Sequence, residues 1–162
     1  MWIIEKYIKY LVGFGLLWVL LFCQSTYGCQ KVTTVQMAPL YDADGFAFYN
    51  KRQHDMADLK AGDVIVYRRS IPNFPQHEYQ VGRIIATEGH RISIGGGYIS
   101  VDGAKIGEEY VKEDHRGSDN IPEITIPRGC LYVLNDFRTC EMPDCRQLGP
   151  LSVHSVLGKT SK

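Results

Sequence analysis

The sequence predicts a mainly β body carried on one N-terminal apolar helix. Residues 10–23 contain no charged or strongly polar side chain. Beyond residue 30, short runs rich in Val, Ile and Tyr are separated by Gly, Pro and Asp turn signals, and no convincing helical period appears.

The helix comes first. Residues 10–23 alone would reach about 21 Å, short of a hydrocarbon core of about 30 Å, but a helix over 7–27 reaches about 31 Å. Lys9 then snorkels to the interface, and Tyr7, Tyr10 and Tyr27 fall where interfacial aromatics belong. Lys6 and Lys9 on the short front side predict a single-pass cell-membrane protein with its N-terminus inside the cell and its body outside. A basic start and a short apolar core also describe a cleaved signal peptide, and Gly28-Cys29 hints at lipoprotein processing. Thr26 and Tyr27 make a poor approach to such a site, so a retained anchor is the expectation. The chain then divides into a cytoplasmic stub and anchor over 1–28 and an extracytoplasmic β domain over 29–162.

Strands are expected over 63–68 and 80–86. A hairpin follows in which Gly95-Gly96-Gly97 separates Arg91-Ile92-Ser93-Ile94 from Tyr98-Ile99-Ser100-Val101. Asp102-Gly103 reads as a tight turn. Residues 131–134 form a buried strand after the turn Pro127-Arg128-Gly129. Met56-Ala57-Asp58-Leu59 has the pattern of one helical turn, and 71–75 and 112–122 read as loops.

A chain of 162 residues, 44% hydrophobic and with formal net charge +0, holds one globular domain with a real core. It lacks the basic footprint that nucleic acid binding needs. Cys140 and Cys145 are close enough in the chain to pair if the body is extracellular, and closing so small a loop would stabilise by about 2 kcal/mol in the chain-entropy account. The alternative is that both are unpaired small residues. Cys23 belongs to the apolar segment, and Cys29 and Cys130 pair only if the fold brings them together. There is no CxxC motif, and His54, His77, His90, His115 and His154 are scattered, so no metal, other cofactor or small-molecule substrate is expected.

Several blocks carry a family resemblance. Val35-Gln36-Met37-Ala38-Pro39 is similar to a pattern of Ser followed by Met, any residue and Pro. Gly82-Arg83-Ile84-Ile85-Ala86-Thr87-Glu88-Gly89-His90 is similar to Lys-Arg-Val-Ile-Gly-x-Pro-Gly-Asp. Gly62-Asp63-Val64-Ile65-Val66-Tyr67 lies between them, and Val101-Asp102-Gly103-Ala104-Lys105 through Glu109-Tyr110-Val111 follows. Leu134-Asn135-Asp136-Phe137-Arg138 and Asp144-Cys145-Arg146-Gln147-Leu148-Gly149 match Gly-Asp-Asn-Arg and Asp-Ser-Arg-x-x-Gly in part, with one extra residue between them. Leu157-Gly158-Lys159 closes the series. The collinear set resembles the serine–lysine signal peptidase I family, and most of all the inactive homologues encoded with pilus subunits and sortases in Gram-positive bacteria.

The resemblance implies a signal-peptidase-like β fold in which Gln36 stands at the nucleophile position and Gly82 at the general-base position. A carboxamide is not nucleophilic and glycine has no side chain, so that dyad cannot form. Glu88, His90, Asn135 and Phe137 also depart from the pattern. What remains by resemblance is a groove for an extended peptide, with lips Thr33, Thr34 and Val35 on one side and Glu78, Tyr79, Gln80 and Val81 on the other. The implied function is an inactive accessory factor or chaperone in pilus or surface-protein assembly, with the membrane and a pilin, a sortase or another exported protein as partners. Two alternatives stay open: an active signal peptidase with a non-standard catalytic arrangement, for which Thr33 or Thr34 with His77 is the conceivable pair, and a structural envelope protein.

Overall fold

The computed structural model describes residues 2–51, 58–71, 75 and 78–160, with backbone alone for 2–6. Helix α1 (Trp2–Thr26) exposes its side chains all round over residues 7–25 and buries Thr26. Its stretch Tyr7–Thr26 is long and apolar enough to cross a membrane. The helix stops one residue earlier than expected because Tyr27 already belongs to β1 (Tyr27–Lys31).

The body is mainly β, as the sequence predicts, and its strand pairs are antiparallel. After β1 come β2 (Phe46–Asn50), β3 (Val64–Arg68), β4 (Tyr79–Thr87), β5 (Arg91–Gly95), β6 (Tyr98–Val101), β7 (Ala104–Lys105), β8 (Ile121–Thr125) and β9 (Cys130–Leu134). A short helix α2 (Cys145–Leu148), β10 (Leu151–Ser152) and β11 (Val156–Thr160) complete it. One sheet has seven strands in the order β1-β2-β11-β3-β4-β9-β10, and the other has four in the order β7-β6-β5-β8. Asp102 and Gly103 take φ of 51° and 82°, the positive values that a two-residue hairpin turn demands, and join β6 to β7 as the sequence indicates.

Strand β3 is buried on both faces, so its side chains divide by alternation between two cores. Val64 and Val66 join Val32, Met37, Tyr41, Ala47 and Val81 on one side. Ile65 and Tyr67 join the larger core, which takes Ile84 from β4, Ile92 and Ile94 from β5, and all of residues 131–134 from β9.

Six strands escape the sequence reading for identifiable reasons, β7 because it is two residues long. β1 contains no β-branched residue, and β2 is aromatic without polar alternation. β8 carries Pro122, which is tolerated because β8 is the edge of its sheet. β10 and β11 are short or interrupted by Gly158. The expected loop over 112–122 contains a 3-10 turn at Glu113–His115 and yields its last two residues to β8. Helix α2 is announced only by a capping box of Asp144 and Gln147. Met56, Ala57 and most of 71–75 lie outside the described residues.

Buried ion pairs tie these parts together. Arg83 on β4 holds Asp136 with two hydrogen bonds of 2.9 and 2.7 Å and stacks over the Tyr110 ring at 4.1 Å. Glu108 is nearly inaccessible; its carboxylate accepts from Arg116 at 2.9 Å and forms a bidentate pair with Arg138. Arg146 bridges Asp144 and Asp119. Removing Glu108 leaves buried Arg138 without its carboxylate and Arg116 with only the exposed Glu113, so Glu108→Ala is expected to cost about 3–5 kcal/mol. Arg91→Ala breaks only the exposed pair with Glu123 and should cost no more than about 1 kcal/mol. Urea unfolding of both variants in detergent checks the contrast.

Candidate functional site

Thr34 leaves β1's extension with extended dihedrals and opens a 3-10 turn over Val35–Met37. Within that turn Met37 is wholly buried in the smaller core, which draws its neighbour Gln36 inward to 4% exposure. The Gln36 carboxamide uses both of its ends. Nε2 donates to the carbonyl of Val81 at 2.9 Å, and Oε1 accepts from the Thr34 hydroxyl at 2.8 Å. The backbone carbonyl of Gln36 accepts from the Phe137 N–H at 2.9 Å.

Val81 is bonded to Gly82, so the structure brings together the two positions that sequence reasoning paired. Gly82 is buried on β4, and its missing side chain leaves no room. A Cβ built there would lie 2.7 Å from Val133 Cγ1, 3.2 Å from Tyr67 Cε1 and 3.4 Å from the Leu134 carbonyl. The first distance is one that real Cβ atoms essentially never show. Valine and tyrosine fill the volume into which a side chain at 82 would start.

Beside the turn lies a cleft of about 470 Å³. Thr33, Thr34 and Val35 form one wall, and Ala43, Phe137, Thr139, Cys140, Glu141 and Met142 line the rest. The first predicted lip is therefore on the cleft. The second is not among its lining residues: Val81 faces the smaller core at 1% exposure, Gln80 is buried, Glu78 pairs with Arg68 at 2.6 Å, and Tyr79 is exposed. Strand β9 pairs with β4 only from Arg83 onward, so residues 79–82 have β3 as their paired neighbour, and the Gln36 carboxamide meets Val81 there instead. His77 lies outside the described residues.

Sequence reasoning missed the opposite wall. Residues 137–142 contain the extra residue between the two late blocks, which was the available signal. The segment is firmly held. Asn135 Nδ2 donates to the Met142 carbonyl at 2.8 Å, Arg146 Nη2 to the Arg138 carbonyl at 2.9 Å, and the Phe137 ring stacks on His115 with centroids 3.9 Å apart.

The disulfide expected between Cys140 and Cys145 is not formed; both are free thiols with separate partners. Cys145 Sγ accepts from the Val133 N–H at 3.2 Å in the interior, and burial pushes its pKa up to about 11. Cys140 Sγ lies 3.8 Å from Asn135 Nδ2, and burial raises its pKa as well. Cys29 and Cys130 are free too.

An apolar helix long enough to cross a membrane thus leads into an antiparallel β body with a cleft at the first turn after β1. The chain belongs to the signal peptidase, peptidase S26, family, whose model matches residues 4–162. It is 27% identical over 135 residues to signal peptidase I of Bacillus caldolyticus, covering 76% of this chain and 71% of that protein. It is 21% identical over 138 residues to thylakoidal processing peptidase 1, chloroplastic, of Arabidopsis thaliana, covering 81% of this chain and 40% of that one. The crystal structure of a signal peptidase I from Enterococcus faecalis shares the fold, with a TM-score of 0.51 at 20% identity, covering 62% of this chain and 95% of its own.

Two stability predictions follow from this packing. Gln36→Ala leaves the buried Val81 carbonyl without its donor and is expected to cost about 1–3 kcal/mol. Gly82→Ala overpacks against Val133 and is expected to cost about 1–3 kcal/mol. Denaturant midpoints of the two variants measure both. For the thiols, alkylation of the native protein at pH 8 followed by mass spectrometry should modify exposed Cys29 quickly and leave Cys145 protected. The Cys145 thiolate is scarce until the pH approaches about 11.

Proposed function

We propose that this chain is a catalytically silent member of the signal peptidase family that binds an extended segment of an exported polypeptide and serves as an accessory factor or chaperone in pilus or surface-protein assembly. The observation that carries the proposal is the state of the dyad positions. The side chain at 36 is a buried carboxamide committed to Val81 and Thr34, and the space beside 82 is occupied by Val133 and Tyr67. Losing one member of a catalytic dyad or triad costs on the order of 10⁴–10⁶ in turnover. Peptidase activity by another route is the second reading, for which the Thr33 and Thr34 hydroxyls on the cleft are the support. The Thr34 hydroxyl already donates to Gln36.

Residues 1–28 act in this reading as stub and anchor, with the N-terminus inside, and 29–162 as the extracytoplasmic body. The partner is a polypeptide, a pilin, a sortase or another exported protein, taken with no cofactor. The cleft is lined mainly by apolar atoms of Val35, Ala43, Phe137 and Met142, which suits a small apolar side chain.

Incubated in detergent with a precursor protein, the purified full chain is expected to yield no cleaved product above a control without it. Turnover that co-purifies with this chain and not with a contaminating peptidase would overturn the proposal. Gln36→Ser with Gly82→Lys should remain inactive, because Val133 still occupies the lysine's path. Binding is tested separately with Val35→Asp, since Val35 is 42% exposed on the cleft wall and tolerates the charge. Its affinity for the assembly partner should fall about tenfold or more with an unchanged melting curve. Val81→Asp is no probe of the cleft, because Val81 lies in the core. Protease shaving of intact cells should digest the body and spare the N-terminus.

A further inference from the structure

A second cavity, of about 250 Å³, shares no residue with the cleft. The strand pairing creates it. β3 pairs with β4 only as far as Val64 and Arg83, so from Ile84 onward β4 has no β3 partner. The chain just before β3 takes that place: the Gly62 N–H donates to the Ile84 carbonyl at 2.7 Å, and the Ile84 N–H donates to the Asp63 carbonyl at 2.8 Å. On the other side of β4 the pairing with β9 slips between Ile84 and Ala86, a bulge of the kind that re-aims side chains. The cavity lies between this irregular strand end and the 59–61 segment, and Leu59, Ile85 and Val101 give it an apolar lining.

Its polar lining is Lys60, Thr87 and His90, with no acidic side chain. His90 is one of the residues at which the chain departs from the signal peptidase pattern, and it has no part in the cleft. Its ring is aimed from behind. Nδ1 lies 2.7 Å from Asp102 Oδ2, while Asp102 Oδ1 accepts from the Arg91 N–H at 2.8 Å. The Asp102 N–H donates in turn to the Arg91 carbonyl at 2.8 Å, which fixes the carboxylate in the turn before β7. The Arg91 N–H and then the imidazole hold the Asp102 carboxyl below its usual range, so an ionised group stands behind the ring and keeps the proton on Nδ1. Asp102 does not line the cavity. Among the described residues Nε2 has no hydrogen-bond partner, and the Lys60 ammonium has no ion pair. A pair as exposed as His90 and Asp102, each at 49%, adds little to stability, so its value lies in where it points the ring.

We propose that this cavity binds a carboxylate carried on an apolar residue, either the C-terminal end of a polypeptide or a free acid of the same kind. The apolar lining takes the side chain, and Lys60 and His90 take the charge. In the imidazolium both ring nitrogens donate, Nδ1 to Asp102 and Nε2 to the ligand, and a hydrogen bond between ionised partners is among the strong ones. The Thr87 hydroxyl is a further donor on the same lining. A volume below that of sites for drug-sized molecules suits one residue, and a lining that is cationic without acidic neighbours selects an anion. The site stands apart from the dyad positions and from the membrane segment, so it depends on neither the catalytic silence nor the anchor.

The test uses the full chain in uncharged detergent at about pH 6, where imidazoles carry protons, with its histidine rings isotope-labelled for NMR. The probes are N-acetylleucine, its uncharged amide, and an acetylated peptide ending in leucine with a free carboxylate. N-acetylleucine is expected to shift the ring signal that His90→Gln removes, with a Kd of about 1 mM. The amide should bind about tenfold more weakly or worse. Lys60→Gln should weaken binding of the acid about tenfold with an unchanged melting curve, since Lys60 is exposed, and Lys105→Gln, an exposed cation on β7, should leave it unchanged. Asp102→Asn keeps the ring and removes the charge that orients it, so it too should weaken binding while the fold persists. A shift with the peptide supports the site and identifies a chain terminus; a shift with the free acid alone supports it and identifies a small acid. No shift at His90 with either probe at twentyfold the expected Kd would overturn the proposal. Equal binding of the amide, or binding of the acid that survives both Lys60→Gln and Asp102→Asn, would do the same.

Discussion

A single carbonyl organises the site. Where β9 parts from β4, the Val81 carbonyl sits in the protein interior beside a strand pairing that has ended, and a buried acceptor there must find a donor or cost free energy comparable to a lost hydrogen bond. Gln36 supplies that donor. The length of its side chain sets how near the 3-10 turn must come to β4, and the turn's own carbonyl then fixes Phe137. Three segments distant in sequence are registered against one another by one carboxamide and its peptide unit.

A second layer of constraint comes from buried charge. Among the residues that match the family blocks, Arg83, Asp136, Arg138, Asp144 and Arg146 all end in ion pairs, and none of them lines the cleft. Burial pushes the Asp136 carboxyl above its usual range while Arg83 pulls it back, so the pair depends on close two-point geometry. The blocks that make the chain recognisable are thus those that hold its sheets and late loops together.

Legibility in the sequence followed the same division. The apolar helix, the central strands, the glycine-separated hairpin and the Asp102-Gly103 turn all announce themselves by local chemistry. Gln36 and Gly82 were locatable because flanking residues keep their pattern. The second lip was not, because alternation alone cannot say which face of 78–81 is turned to solvent when β3 is buried on both sides. Nor was the 137–142 wall, whose position depends on Asn135 and Arg146 reaching back to it. The exposure of Phe46 and Phe48 was hidden for a third reason: only the pairing of β2 with β1 fixes which side of the strand meets solvent.

The fit of Val133 against Gly82 makes the two positions one packing unit. Placing any side chain at 82 first drives it into Val133, and shrinking Val133 first opens a void beside a glycine, so each step alone is worse than the starting point. The two positions are coupled by contact, and their changes would not add. Within this packing a longer side chain at 82 needs a compensating change at 133.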